Sequence, residues 1–198
     1  MNASPFQKEV ELKLELRPAS LRSIKQVPLL TALKVRPKRT TEVSVYFDTN
    51  KQMLRNHGLL LRVRRVGNRH IQTIKASGNF GPLERDEWEV DIAGNKPDLS
   101  LAKDTPLERV LTDKLRRQLK PVFETRVKRT VYQLSGDEHE IALMIDHGAI
   151  DTGEHSRPVC EIELELERGS VADLFDVARE LVRALPARLA LCPYQGRS

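Results

Sequence analysis

Two segments near opposite ends of the chain alternate a carboxylate with an aliphatic residue: Glu9-Val10-Glu11-Leu12-Lys13-Leu14-Glu15 and Glu161-Ile162-Glu163-Leu164-Glu165-Leu166-Glu167. Alternation is the period of a β-strand, so each segment lays its acids on one face and a continuous aliphatic row on the other. The aliphatic rows require a core. The acidic rows require compensation, because like charges side by side on a sheet destabilise it unless water or cations intervene. These two strands are therefore a candidate divalent-metal site.

The rest of the chain is mostly β in pattern. Period-2 segments run over 40–49, 59–66, 70–76 and 83–92, separated by Gly67-Asn68 and by the turn-forming stretch from Ser77 to Pro82. Three more run over 122–134, 138–146 and 159–167, the first two joined as a hairpin around Ser135-Gly136-Asp137. Helical spacing predicts a helix over 18–33 that Pro28 interrupts, and another over about 106–119 opened by the capping box Thr105-Pro106-Leu107-Glu108. A third runs from Ser170 to near Pro186, and 188–194 is expected to form a last strand.

A length of 198 residues fits one domain, and 31% charged residues exceeds the ordinary value of about 25%. The net charge of +5 points to an anionic partner, which nucleic acid, a membrane surface or a small phosphate compound would each satisfy. With only 5% aromatic residues and no interleaving of basic with aromatic side chains, nucleic acid is disfavoured. No segment approaches the roughly 18 apolar residues of a membrane span, and residues 1–8 hold no apolar run, so the expected compartment is the cytoplasm. Cys160 and Cys192 lack a Cys-x-x-Cys spacing and are expected as free thiols. His57, His70, His139, His147 and His155 show no metal-ligand spacing and are expected at the surface.

Parity sorts the basic residues as it sorts the acids. Arg62 and Arg64 share a face opposite Leu61 and Val63, Lys75 lies between Ile74 and Ala76, and Arg85, Glu87 and Glu89 face away from Trp88 and Val90. Arg129 alternates against Arg126 and Lys128, which are expected in solvent. Acids dominate the terminal strands and cations the middle ones, whereas a merely solvated face would intersperse the signs. Closing the sheet gathers both sets around one polar lumen. Such a lumen suits a strongly anionic ligand together with divalent cations. Triphosphate with Mg²⁺ or Mn²⁺ meets both demands, through bidentate guanidinium–phosphate contacts and hard carboxylate oxygens.

At these residues the chain resembles the CYTH superfamily, the triphosphate tunnel metalloenzymes. Glu9-Val10-Glu11-Leu12-Lys13 matches the family's Glu-x-Glu-x-Lys signature; Tyr46-Phe47-Asp48, Leu61-Arg62-Val63-Arg64, Thr73-Ile74-Lys75, Arg85 with Glu87, Arg129, Ile145-Asp146 and the stretch from Pro158 to Glu165 follow in the family's order. The resemblance implies an α+β, mainly β fold: a closed antiparallel eight-stranded β-barrel with flanking helices, forming one CYTH domain over 1–198. Among the members, the bacterial inorganic triphosphatases are the most similar. The implied activity is metal-dependent hydrolysis of inorganic triphosphate to pyrophosphate and phosphate. A class IV adenylyl cyclase, a thiamine triphosphatase or a non-catalytic polyphosphate- or nucleotide-binding module are the alternatives.

The resemblance also implies roles. Glu9, Glu11, Glu161 and Glu163, with Asp146 or Glu165 assisting, are expected to hold Mg²⁺ or Mn²⁺. Arg62, Arg64, Lys75, Arg85 and Arg129 are expected on the triphosphate, and Lys13 either on phosphate or pairing with the acids. The partner is then a small anionic triphosphate, with neither nucleic acid nor membrane, and a homodimer stays open. The family's last strand usually ends in Ser-Lys and a short Arg-Gly element, whereas this chain stops at Gln195-Gly196-Arg197-Ser198. A truncated C-terminus, with a helical CHAD domain following as in bacterial relatives, is the corresponding expectation.

Overall fold

Strands whose two faces differ so sharply in polarity leave two arrangements: a flat sheet with one wet face, or a closed one with a polar inside. The computed structural model, in which residues 6–77 and 83–190 are described, shows the second. Eight antiparallel strands form the wall: β1 (Phe6–Leu16), β2 (Lys38–Asp48), β3 (Leu59–Val66), β4 (Arg69–Ser77), β5 (Glu84–Ile92), β6 (Lys120–Ser135), β7 (Glu140–Asp151) and β8 (Ser156–Arg168). Their order around the barrel is β5-β4-β3-β2-β6-β7-β8-β1, and β1 closes back onto β5. The two acidic strands are neighbours, with Lys13 opposite Glu163 and Glu11 opposite Glu165. A short β9 (Ala187–Leu189) pairs with Leu14–Leu16. Since β8 already occupies one edge of β1 there, β9 continues the edge that β5 leaves beyond Val10.

The apolar core lies outside this wall, beneath the helices. Leu12, Leu14, Ile162 and Leu164 are at most 1% exposed and pack with Ile24 of α1 (Leu21–Ile24), Leu30 of α2 (Pro28–Thr31) and Leu174 and Leu181 of α5 (Val171–Ala184). A second cluster joins Leu61, Val63 and Ile74 to Leu54 of α3 (Met53–Asn56) and Leu115 of α4 (Asp113–Gln118). Each such leucine contributes about 1.5–3 kcal/mol of burial. Asp48 accepts from the amides of Leu54 and Arg55, which anchors α3 to the end of β2. Gly148 allows β7 to approach β6 closely: a Cβ there would meet the Arg126 carbonyl oxygen at 1.8 Å. Among the described residues no helix is long and apolar enough to cross a membrane.

Local expectations fare unevenly. Pro28 does break the first helical stretch, with Val27 extended before it. The helix over 106–119 is not formed as one piece. Thr105 uses its hydroxyl to donate to the Ala102 carbonyl instead of capping, Leu111 leaves helical geometry, and Thr112 caps α4 by accepting from the Leu115 amide. Two cap-forming threonines compete in that segment, and the second one starts the helix. The strand expected over 138–146 runs on to Asp151, and of the one expected over 188–194 only its start falls among the described residues. Cys192 and residues 195–198 lie outside them.

Candidate active site

Residues directly opposed in an antiparallel pair project to the same side, so the registers state which side chains share the lumen. One rung carries Arg129, Asp146 and Glu161 across β6, β7 and β8. A second carries Arg62, Thr73 and Glu89 across β3, β4 and β5, and a third sets Lys75 against Glu87. Arg85 opposes Glu9 where the barrel closes.

Inside, the cations meet the acids. Arg129 grips Asp146 with two nitrogens, at 2.8 and 2.5 Å, and reaches Glu163 at 2.6 Å. Lys13 holds Glu163 at 2.5 Å and Glu161 at 3.2 Å. Lys75 lies 2.6 Å from Glu9 and 3.2 Å from Glu87. Arg62 reaches Glu89 at 3.4 Å and Thr73 at 3.2 Å, and Arg64 bridges Glu89 at 3.1 Å to Glu42 at 3.5 Å. Burial opposes every one of these charges, and only pairing of this density makes them tolerable.

The titration behaviour follows from who is paired. Burial works against an ionised Glu163, but Lys13 and Arg129 outweigh it and hold the carboxyl well below the usual range. Burial, reinforced by Glu163, pushes Glu11 up to about 7 despite Lys13. Glu165 is likewise raised to about 7, by burial and then by Glu9 and Glu87. Asp146 and Glu161 are raised by burial as well, while Lys13 and Arg129 are held charged by the carboxylates around them.

Asp146, Glu161 and Glu163 bring one carboxylate oxygen each within 4.8 Å of one another. An all-oxygen donor set of this kind fits a hard divalent cation such as Mg²⁺ or Mn²⁺, and no softer ligand takes part. Of the six acids expected as ligands, three thus form this group. Glu9, Glu11 and Glu165 sit further along the same wall, where Glu11 and Glu165 oppose each other. Three further residues line the lumen. Glu42 is 7% exposed beside Arg64, Thr73 is fully buried and donates to Glu89, and the Tyr46 hydroxyl is hydrogen-bonded to Arg62. Glu42 and Tyr46 share the alternation of Ser44 against Val43 and Val45, so the signal was present in β2.

Two donors remain unanswered. Among the described residues, the Nε atoms of Arg62 and Arg64 are buried without a hydrogen-bond acceptor.

An eight-stranded antiparallel barrel with a charged, ion-paired lumen defines a tunnel protein whose interior is the candidate site. The chain belongs to the CYTH domain family, whose model matches residues 7–188. It is 29% identical over 146 residues to a Haemophilus influenzae protein named inorganic triphosphatase, an alignment that takes in 70% of this chain and 39% of that protein. The chain therefore spans about two fifths of the length of that relative. Among solved structures, a Hippeastrum protein named for adenylyl cyclase and credited with a dominant triphosphatase activity superposes with a TM-score of 0.63 at 18% identity, over 96% of this chain and 92% of that one. A Bacillus halodurans protein carrying an adenylate cyclase name gives 0.64 at 18% identity, with 93% of each chain covered. These two likenesses establish the shared fold.

Proposed function

We propose that the lumen binds a triphosphate and, with a carboxylate-held divalent cation, hydrolyses it, inorganic triphosphate yielding pyrophosphate and phosphate. The observation that carries this reading is the pair of buried Nε–H donors on Arg62 and Arg64. A buried donor without a partner costs about 1–3 kcal/mol, and phosphate oxygens presented along one strand face would satisfy both. The name of the Haemophilus influenzae relative supports the same activity.

In this reading Arg62, Arg64, Lys75, Arg85 and Arg129 contact phosphate oxygens. Asp146, Glu161 and Glu163 would hold Mg²⁺ or Mn²⁺, and Glu9, Glu11 and Glu165 form a second acidic wall. An ion held there would supply charge neutralisation and a more acidic attacking water. Arg129 and Lys13 exchange carboxylate partners for phosphate, which frees Asp146 and Glu163 as oxygen donors. The guanidinium groups then stabilise charge on the transferred phosphoryl group as the bond to its leaving group loosens. The cytoplasm is the proposed compartment.

An organic triphosphate is the second reading. A cavity of about 480 Å³ lies where the ends of β2, β3 and β6 meet, lined by Tyr46 and Phe123, whose rings stack at 4.2 Å, and by Asn50 and Gln52. It offers room for a base or a thiazolium. Phosphate release from tripolyphosphate, thiamine triphosphate and ATP, each with Mg²⁺, Mn²⁺ or EDTA, decides. Metal-dependent release that is fastest from tripolyphosphate is expected. Cyclic product and pyrophosphate from ATP would establish the cyclase, and no turnover of any of the three would leave a binding module.

A further inference from the structure

The barrel carries a second group of cations on the outer side of its wall. A cavity of about 670 Å³ lies where α1 overhangs the outer faces of β2, β6 and β7. Arg22 reaches it from α1 and Lys25 from the residue just after it, Arg39 from β2, Lys128 from β6 and His147 from β7. Register turns the side chains of Arg39, Lys128 and His147 away from the lumen, while Thr40 and Arg129 of the wall also border the cavity. Lys128 opposes Thr41 and His147, one position out of phase with the inward-facing Arg129 and Asp146.

The groove gathers its cations around a single recess. No carboxylate lines it among the described residues, and none of Arg22, Lys25, Arg39 and Lys128 makes an ion pair there. Four like charges converging from three elements on one recess repel one another, and a bound polyanion removes that repulsion. The floor, with Ile24 and Ile145 at 2% and 6% exposure, already belongs to the core beneath the helices. Leu21 and Tyr132 extend this apolar floor, and the charged groups stand around it. The hydroxyls of Thr41 and Thr130 add neutral donors.

We infer that this groove binds an array of linked phosphates, carried either by inorganic polyphosphate or by a nucleoside polyphosphate, and that it does so without a metal ion. The guanidinium forks and ammonium groups match phosphate oxygens, and no acid is at hand to hold a cation. The inference is independent of what the lumen does.

Calorimetric titration of the EDTA-treated protein with ATP, with tripolyphosphate and with a longer polyphosphate tests it. Metal-free binding should fall by about tenfold or more in Arg39→Glu with Lys128→Glu, and persist in Arg62→Ala with Arg64→Ala. Mg²⁺-dependent hydrolysis in the outer variant should stay within about twofold of the parent. If the charge reversal perturbs folding, as circular dichroism would reveal, Arg39→Ala with Lys128→Ala should still weaken binding severalfold. ATP binding without polyphosphate binding, or the reverse, identifies the carrier. Metal-free binding that survives the outer change and vanishes with the lumen change, or no metal-free binding at all, overturns the inference.

Discussion

The lumen and the outer groove use the same side chains to opposite effect. Inside, Lys13, Arg62, Arg64, Lys75 and Arg129 are each bound to carboxylates, and the low polarity of the interior demands it. Outside, four cations stand around a recess with no acid lining it among the described residues, because water there supplies what the lumen cannot. A ligand entering the lumen has to rearrange an existing ion-pair network, whereas one entering the groove meets charges already available. In the proposed readings the first site depends on metal and the second does not.

Several experiments would break or sharpen that contrast. The largest effect is expected for Glu161→Gln with Glu163→Gln, which removes two of the three clustered acids. Metal-dependent hydrolysis should fall by about 10²–10³-fold or more, while metal-free anion binding at the groove is unchanged. The fold should weaken too, by about 3–5 kcal/mol in urea titration, since Lys13 and Arg129 lose a buried partner. Unaltered hydrolysis would move the metal site elsewhere.

Arg62→Lys comes next. An ammonium keeps the charge but not the fork, so tripolyphosphate turnover should drop by roughly 10–100-fold, with Arg64→Lys similar. Arg65 faces outward and donates to the Gly67 carbonyl, and Arg65→Lys should change little. Equal losses at all three positions would reduce the lumen to a net-charge effect.

Stability against pH gives a smaller and more diagnostic signal. Glu11 and Glu165 titrate near 7 in the folded protein and near 4.5 when unfolded, so the native state holds more protons between those values. Metal-free stability should therefore decline as pH rises from about 4.5 to 7, by about 1.4 kcal/mol per unit for each group. Glu163, depressed below 4.5, acts in the other direction: its contribution is present above 4.5 and lost as pH falls below it. Urea titrations in EDTA at pH 5 and 8 should show the protein weaker at 8, with Glu11→Gln flattening the slope. Greater stability at pH 8 would contradict the paired-lumen account.

Salt should produce the mildest separation. Raising it from about 50 to 200 mM should weaken groove binding steeply, because its cations are exposed, and change lumen turnover far less. Parallel salt curves for the two would mean that they are not physically distinct sites.

Much of the lumen was legible beforehand. The side chains of Glu9, Glu11, Arg62, Arg64, Lys75, Arg129, Glu161 and Glu163 follow strand parity into one interior. The partners were not legible. Lys75 meets Glu9 across 66 positions of sequence, and Arg129 meets Glu163 across 34. Arg126 and Lys128 look alike in sequence as outward residues; Glu124, two positions back on the same strand face, pairs with Arg126, whereas only packing places Lys128 beside α1. The helix over 106–119 failed for a local reason, since spacing alone cannot rank Thr105 against Thr112 as a cap.

What the sequence alone determined is which side chains share a face, because alternation along a strand is a property of backbone geometry that needs no partner. Which of them touch was decided by the closure of β1 onto β5 and by the register of each pair. From those came the Asp146, Glu161 and Glu163 cluster, the buried Nε–H groups of Arg62 and Arg64, and the unpaired cations outside. Contacts between distant segments depend on where every strand lies relative to its neighbours, and no single stretch of chain carries that information.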